Sequence, residues 1–470
     1  MFLNTDSQQA YEINQILIGN LRINFISIIL TDGEESVEGN GFLYQTDDKE
    51  LKIVFFRKTI LEEFQELEYF FKKGEAKGGL RKPTCHIKAI DNNKVSYSGI
   101  SHFNPRFSQN VEEFKIHKLT SDKTGHINRV VFRGKYKIPT NSKYTTISTY
   151  KPYKESIVFN ADKKIDSIDN SFEQRACEKR EMWKIKLPES TELNLCQFED
   201  YLELLILSNH VLDEGLLEKI VHSLDFVLGN KTQLVYYSIK ELGTCFFSSN
   251  KMYSSGASLE PPLIQCQENK KGNCHSELYK SYFNYIKNVE KEKYQKLLKS
   301  HRKIVAASRL YSFNFGQSLA IQIEYLAATF LKDYKVKLID DSNFKNDVKG
   351  LIDYIKKDYE TKHNESKEWI INRLKPGTSK EKWSKAKLIG QLIKDKAVYG
   401  EYDSWNELRN DAAHGSDKNS KHEKLIERIF DCTEIYYTML FYIIGYEGNY
   451  TKLRVDNYAE DKVYKLPQSS

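Results

Sequence analysis

Ser404-Trp-Asn-Glu-Leu-Arg-Asn-Asp-Ala-Ala-His414-Gly415 reads as one short helix with both ends marked. Ser404 and Glu407 have the S-x-x-E spacing of a capping box, in which each side chain satisfies an orphan N–H of the first turn. Gly415 suits the left-handed position just past a helix C-terminus. Leu408, Ala412 and Ala413 are apolar or small, so another helix can approach closely. Arg409, Asn410 and His414 are the polar residues that the helix displays.

That trio has a definite chemistry. Arginine presents a planar, permanently charged fork that fits a phosphate. Histidine exchanges a proton near neutral pH. Asparagine both donates and accepts, so it can orient the histidine or a substrate hydroxyl. Together they suit metal-free RNA cleavage, with His414 as general base or acid and Arg409 holding the charge that builds on the phosphoryl oxygens. Positions five apart on a helix lie about 140° around it and about 7.5 Å along it, so one copy does not aim both groups at one atom. Two helices packed across a two-fold axis can, each His meeting the partner's Arg. As plain structure, Arg409 is a surface arginine and His414 a helix-end histidine favoured by the dipole. A second Arg-x4-His spacing, Arg81 to His86, contains Pro83 and falls in a strand-and-turn region, so it reads as a decoy.

Arg409-Asn410 followed by His414-Gly415, near the end of a helical C-terminal region, resembles the HEPN superfamily of ribonucleases. Its mark is an Arg, four to six residues, then a His. The layout looks like the ApeA-like branch of prokaryotic anti-phage proteins. Outside the C-terminal region that likeness rests on order of parts, on Val37-Glu-Gly-Asn-Gly-Phe-Leu-Tyr44 and on the His210–Gly229 helix. The resemblance implies a metal-independent endoribonuclease of abortive infection that needs no cofactor for cleavage. It further implies a homodimer or higher even oligomer with a composite site, and RNA, with tRNA first, as substrate. An N-terminal part would sense a phage-encoded trigger protein. The competing expectation is a HEPN-type dimerisation module that binds RNA or protein without cutting.

The rest of the chain sets the frame. Its 470 residues are 40% hydrophobic and 13% aromatic, a globular composition long enough for two or three domains. A net charge of +6 permits a nucleic-acid partner without demanding one. Seven scattered cysteines suit reduced thiols in a cytosol. The N-terminus lacks a signal-peptide pattern, and the longest apolar run, Ile435 to Ile444, is too short to span a bilayer. These features predict a cytoplasmic protein with no membrane partner.

Short β-branched or aromatic runs, at Leu21–Leu30, Val37–Tyr44, Leu51–Phe56, Lys94–Ile100, Val130–Tyr136 and Tyr144–Thr149, predict a sandwich or barrel. A helix is expected at Thr59–Lys73, and a charged linker at Asp162–Arg180. Beyond it, Trp183–Leu187 and Leu234–Tyr237 read as strands, and Phe198–Leu207 and Leu212–Leu228 as helical. Cys245, Cys266, Cys274 and His275 offer four soft ligands, although their spacing is not that of a standard finger. Free thiols at a domain boundary compete with a structural zinc there. Glu277–Lys303, Tyr311–Asp333 and Asn343–Asp358 carry helical apolar spacing, with Glu324 either a buried partner for Arg409 or the edge of an apolar face. Lys382, Trp383, Lys385 and Lys387 lie in a Lys-rich stretch that either grips RNA and stacks a base or forms a solvated helix face. Ser420 and Glu423 open a long amphipathic helix that ends at Gly445. The expected architecture is α+β and multidomain. It comprises a β-rich domain at 1–190, a mixed region at 191–275, an all-α HEPN-like helical bundle at 276–455 and a tail at 456–470.

Overall fold

The structure is a computed structural model. It describes residues 7–32, 35–57, 84–102, 111–123, 128–136, 138–139, 142–147, 178–198, 201–229, 232–248, 272–308, 312–334, 341–357, 364–374, 384–414, 422–453 and 459–467. The expected helix at Thr59–Lys73 lies outside them. The described residues form an α+β chain of two compact units that divide between Ser276 and Glu277.

In the first unit, helix α1 (Ser7–Ile18) precedes strands β1 (Arg22–Asp32), β2 (Glu35–Gln45), β3 (Leu51–Arg57), β4 (Thr84–Asp91), β5 (Ser96–His102) and β6 (Val111–Ser121). These six close into an antiparallel barrel in the order β3-β2-β1-β4-β5-β6, with β6 returning to β3. Side chains alternate strictly. Leu51, Ile53 and Phe55 of β3 point inward with Leu43, Ile87, Phe114 and Ile116, while Lys52, Val54 and Phe56 face out. Gly39 and Gly41 let β2 bend this sharply. A Cβ on Gly41 would collide with the Val54 carbonyl, and one on Gly39 with that of Phe56.

Strand β6 belongs to two structures. One edge pairs with β5, while the other pairs first with β3 (Val111 to Ile116) and then with β13 (Gly243–Phe247) through Lys118 to Ser121. The handover is stitched at Ser248, whose N–H donates to the His117 carbonyl and whose Oγ accepts from Leu51 N–H. From β13 the sheet runs on through β12 (Gln233–Ile239), β7 (Asn128–Arg133), β11 (Tyr201–Leu207), β10 (Glu192–Gln197), β9 (Glu178–Lys186) and β8 (Ser142–Ile147). Helix α2 (Glu214–Leu228) is capped by Asp213, whose side chain accepts from Leu216 N–H, and by Gly229 at φ +60°. The helical expectation for Phe198–Leu207 fails. Tyr201–Leu207 is a strand between β7 and β10, and Leu202, Leu204, Leu205 and Ile206 are all buried because both faces are covered. A strand apolar on both faces shows no period of two, and so imitates a buried helix.

The second unit is mainly helical. Helix α3 (Gly272–Asn288), whose first five residues count with the first unit, and α4 (Lys291–Ala307) replace the single expected helix, broken where Glu290 takes the extended ψ of 141°. Then come α5 (Ser312–Phe330), α6 (Asp341–Lys357), α7 (Asn364–Leu374), α8 (Ser384–Lys394), α9 (Tyr402–His414) and α10 (His422–Ile444). Helix α5 packs against α4, α8, α9 and α10. Gly316 permits the closest approach: a Cβ there would stand 3.2 Å from Leu408 Cδ2 and from Ile429 Cγ1. Helix α10 ends as expected, with Gly445 at φ +68° and Tyr446 N–H bonded to the Phe441 carbonyl.

The all-α expectation needs correcting. A hairpin of β14 (Gly448–Leu453) and β15 (Ala459–Tyr464) follows α10, reaching into the stretch expected as a tail. Tyr450 and Tyr464 are buried, and their rings lie 6.0 and 5.5 Å from that of Phe441. Tyr450 donates to Glu434 at 2.6 Å, and Lys452 lies 2.7 Å from Glu434 and 3.2 Å from Asp431. The segment carries few apolar residues in a row, so its pairing is visible only through what its tyrosines bury.

Candidate functional site

Helix α9 is anchored by Trp405 and Leu408, both fully buried. Trp405 Nε1 donates to the Ala320 carbonyl of α5 at 3.3 Å. The helix starts two residues before Ser404, so the expected capping box does not form. Ser404 Oγ instead donates to Asp431 Oδ2 at 2.8 Å, and Glu407 accepts from Arg428, both partners lying on α10. Asp431 is buried and requires donors, which outweighs a cap that the preceding turn supplies without it.

Arg409 is one position beyond Leu408 and four beyond Trp405, which brings it to the margin of the buried face. Its Nε donates to Glu324 Oε1 on α5, and its guanidinium carbon stands 5.8 Å from the Trp405 ring centre. Of the two expectations for Glu324, the pairing with Arg409 is present, although the carboxylate is partly exposed and not buried. Lys385 Nζ, on α8, lies 3.9 Å from the other Glu324 oxygen. Three helices thus bring two cations to one carboxylate. The Glu324 side chain is 20% exposed, against 45% for Arg409 and 53% for Lys385. The anion is the inner group and the cations the outer ones. Ile321, one turn before Glu324, is 57% exposed.

Asn410 is exposed beside Arg409. For His414 the structure describes the backbone, as the last residue of α9. Gly415 and Ser420 lie outside the described residues, as do Lys382 and Trp383. Lys385 and Lys387 are both exposed on α8. His86 is exposed on strand β4, and Arg81 lies outside the described residues.

Among the described residues the cysteine set is not assembled into a ligand cluster. Cys245 is fully buried on β13 beside Tyr237, and burial pushes its thiol up to about 12, away from the thiolate that zinc requires. His275 is buried with its ring edge-on to Trp183, 6.3 Å between centres, and Cys274 is partly exposed on α3. Cys266 lies outside the described residues.

One arrangement went unread in the sequence: the buried carboxylates Asp431 and Glu434 between α9 and the hairpin. Their spacing of three on α10 was a usable signal, since it puts both on one face of a helix otherwise striped with apolar residues. In comparison with known proteins, the chain matches no family model, no curated protein and no solved structure.

Proposed function

We propose that the chain is a metal-independent endoribonuclease of HEPN type, with Arg409, Asn410 and His414 as its catalytic residues. The observation that carries this reading is the state of Arg409. It is half-exposed, fixed by Glu324 and Trp405, and shares one helix with exposed Asn410 and with His414 at its end. His414 takes the proton from a ribose 2′-OH as that oxygen attacks the adjacent phosphorus. The bond from phosphorus to the 5′-oxygen breaks, the leaving oxygen gains a proton, and a 2′,3′-cyclic phosphate remains. Arg409 stabilises the charge on the non-bridging oxygens, and Asn410 orients the histidine or the hydroxyl. The separation of positions 409 and 414 around the helix calls for a second copy across a two-fold axis. On this reading tRNA is the first substrate to try, the protein acts in the cytoplasm in anti-phage defence, and the N-terminal unit responds to a phage-encoded trigger.

The test is cleavage of total cellular RNA in EDTA, with and without phage-infected lysate. Wild type should yield discrete fragments ending in cyclic phosphate. His414→Ala should lose about 10²–10⁴-fold and Arg409→Ala about 10²–10³-fold. Cleavage that survives both substitutions overturns the site. The competing reading, a module that binds RNA or protein without cutting, draws on one observation: Glu324 already occupies Arg409. Binding without fragments under either condition would favour it.

A further inference from the structure

Glu324, Lys385 and Arg409 come from three different helices to one place, and the carboxylate lies deeper than either cation. A carboxylate with a cation at each oxygen has the charge pattern of the two non-bridging oxygens of a phosphodiester. We infer that Lys385 and Arg409 form a two-cation clamp for an RNA phosphodiester, with Glu324 as its internal placeholder and positioning residue. This rests on the placing of RNA at Arg409 in the reading above, and adds to it a second cation and an acidic competitor.

The Arg409 fork meets Glu324 through Nε, and its Nη groups have no hydrogen-bond partner among the described residues. That leaves the paired edge of the fork for an incoming phosphate. The Lys385 contact is long, 3.9 Å, and highly exposed, so it is weakly held and easily redirected to a ligand. Two cations against one carboxylate also leave the cluster net positive, and exposed Ile321 sits one helical turn away. Cationic and apolar surface side by side complements a nucleotide, whose phosphate and base lie side by side. When a phosphodiester arrives, Lys385 and the Nη edge turn to it while Glu324 keeps Nε, so Arg409 stays aimed. Glu324 also repels the phosphate, which keeps affinity below what two cations alone would give.

The experiment is fluorescence anisotropy of the full chain with a 2′-O-methyl oligoribonucleotide, which can be bound but has no 2′-OH to attack, over a series of salt concentrations. Glu324→Gln retains an acceptor for Nε and removes the charge. It should bind about five-fold tighter than wild type, and the gain should vanish in the Arg409→Ala background. Lys385→Gln should lower the slope of log K against log salt by about 0.7, the increment for one phosphate contact on a single strand. Glu324→Asp, which keeps the charge, should bind like wild type. Melting temperatures of all variants establish that they are folded. A Glu324→Gln protein that binds no tighter, or a Lys385→Gln protein with an unchanged salt slope, overturns the clamp. Because the probe is uncleavable, the two readings fail separately. Tighter binding by Glu324→Gln in a protein that cuts no RNA sinks the nuclease and leaves the clamp. Cleavage without that gain does the reverse.

Discussion

Trp405 has no exposed surface, donates its indole N–H to the Ala320 carbonyl and lies beside the Arg409 guanidinium. Trp405→Ala should therefore cost about 3–5 kcal/mol, readable as a lower urea midpoint, whereas Arg409→Ala, half-exposed, should move that midpoint little. A second residue fixes how the second unit answers to acid. His301 on α4 is buried, and burial, helped by neighbouring Arg302, lowers its pKa to about 4. Between pH 6.5 and 4 the unfolded chain binds a proton that the folded chain refuses, so stability is complete above pH 6.5 and declines as the pH falls toward 4. The whole decline attributable to this group is about 3 kcal/mol. Urea midpoints at pH 7 and pH 5 should differ more for wild type than for His301→Gln, and equal differences would refute the assignment.

At the scale of elements, the hairpin β14–β15 is held to α10 by charge as well as by its buried tyrosines. Burial alone would lower the pKa of Lys452, but Glu434 and Asp431 outweigh it and the net shift is upward. Lys452→Met would leave two buried carboxylates without that cation, and should destabilise by about 3–5 kcal/mol; Tyr450→Phe, which removes one hydroxyl, should cost about 1 kcal/mol. In the barrel, Gly41→Val meets the Val54 carbonyl and should prevent closure, seen as loss of the heat transition of the first unit. The elements also show what a sequence can and cannot disclose. Leu51–Phe56 and Val37–Tyr44 are legible as short β-branched or aromatic runs between turns, and Leu425 to Ile443 by period 3.6. Tyr201–Leu207 has two dry faces and was misread. Ser404 was misread because a capping residue and a residue that satisfies a buried aspartate look alike until Asp431 is placed beside them. Glu324 is half legible, since a carboxylate among Leu319, Ile323 and Leu326 asks for a cation, and Arg409 answers that, but Lys385 as a second one does not follow from the sequence.

Over the whole molecule, two compact units, each with buried apolar residues of its own, predict two heat-absorption peaks in calorimetry. Gly41→Val should affect one and Trp405→Ala the other; a single peak moved by both would contradict that expectation.

The shared edge of β6 also bears on how the chain is made. The barrel can close once residue 121 has left the ribosome, yet Lys118 to Ser121 pair along that edge with residues 244–247. At roughly 5–20 residues per second, the bare edge waits on the order of ten seconds for its partner. Four residues, opening on a lysine, make a short and charged edge to leave uncovered for that time, which limits the chance that a neighbouring nascent chain pairs there first.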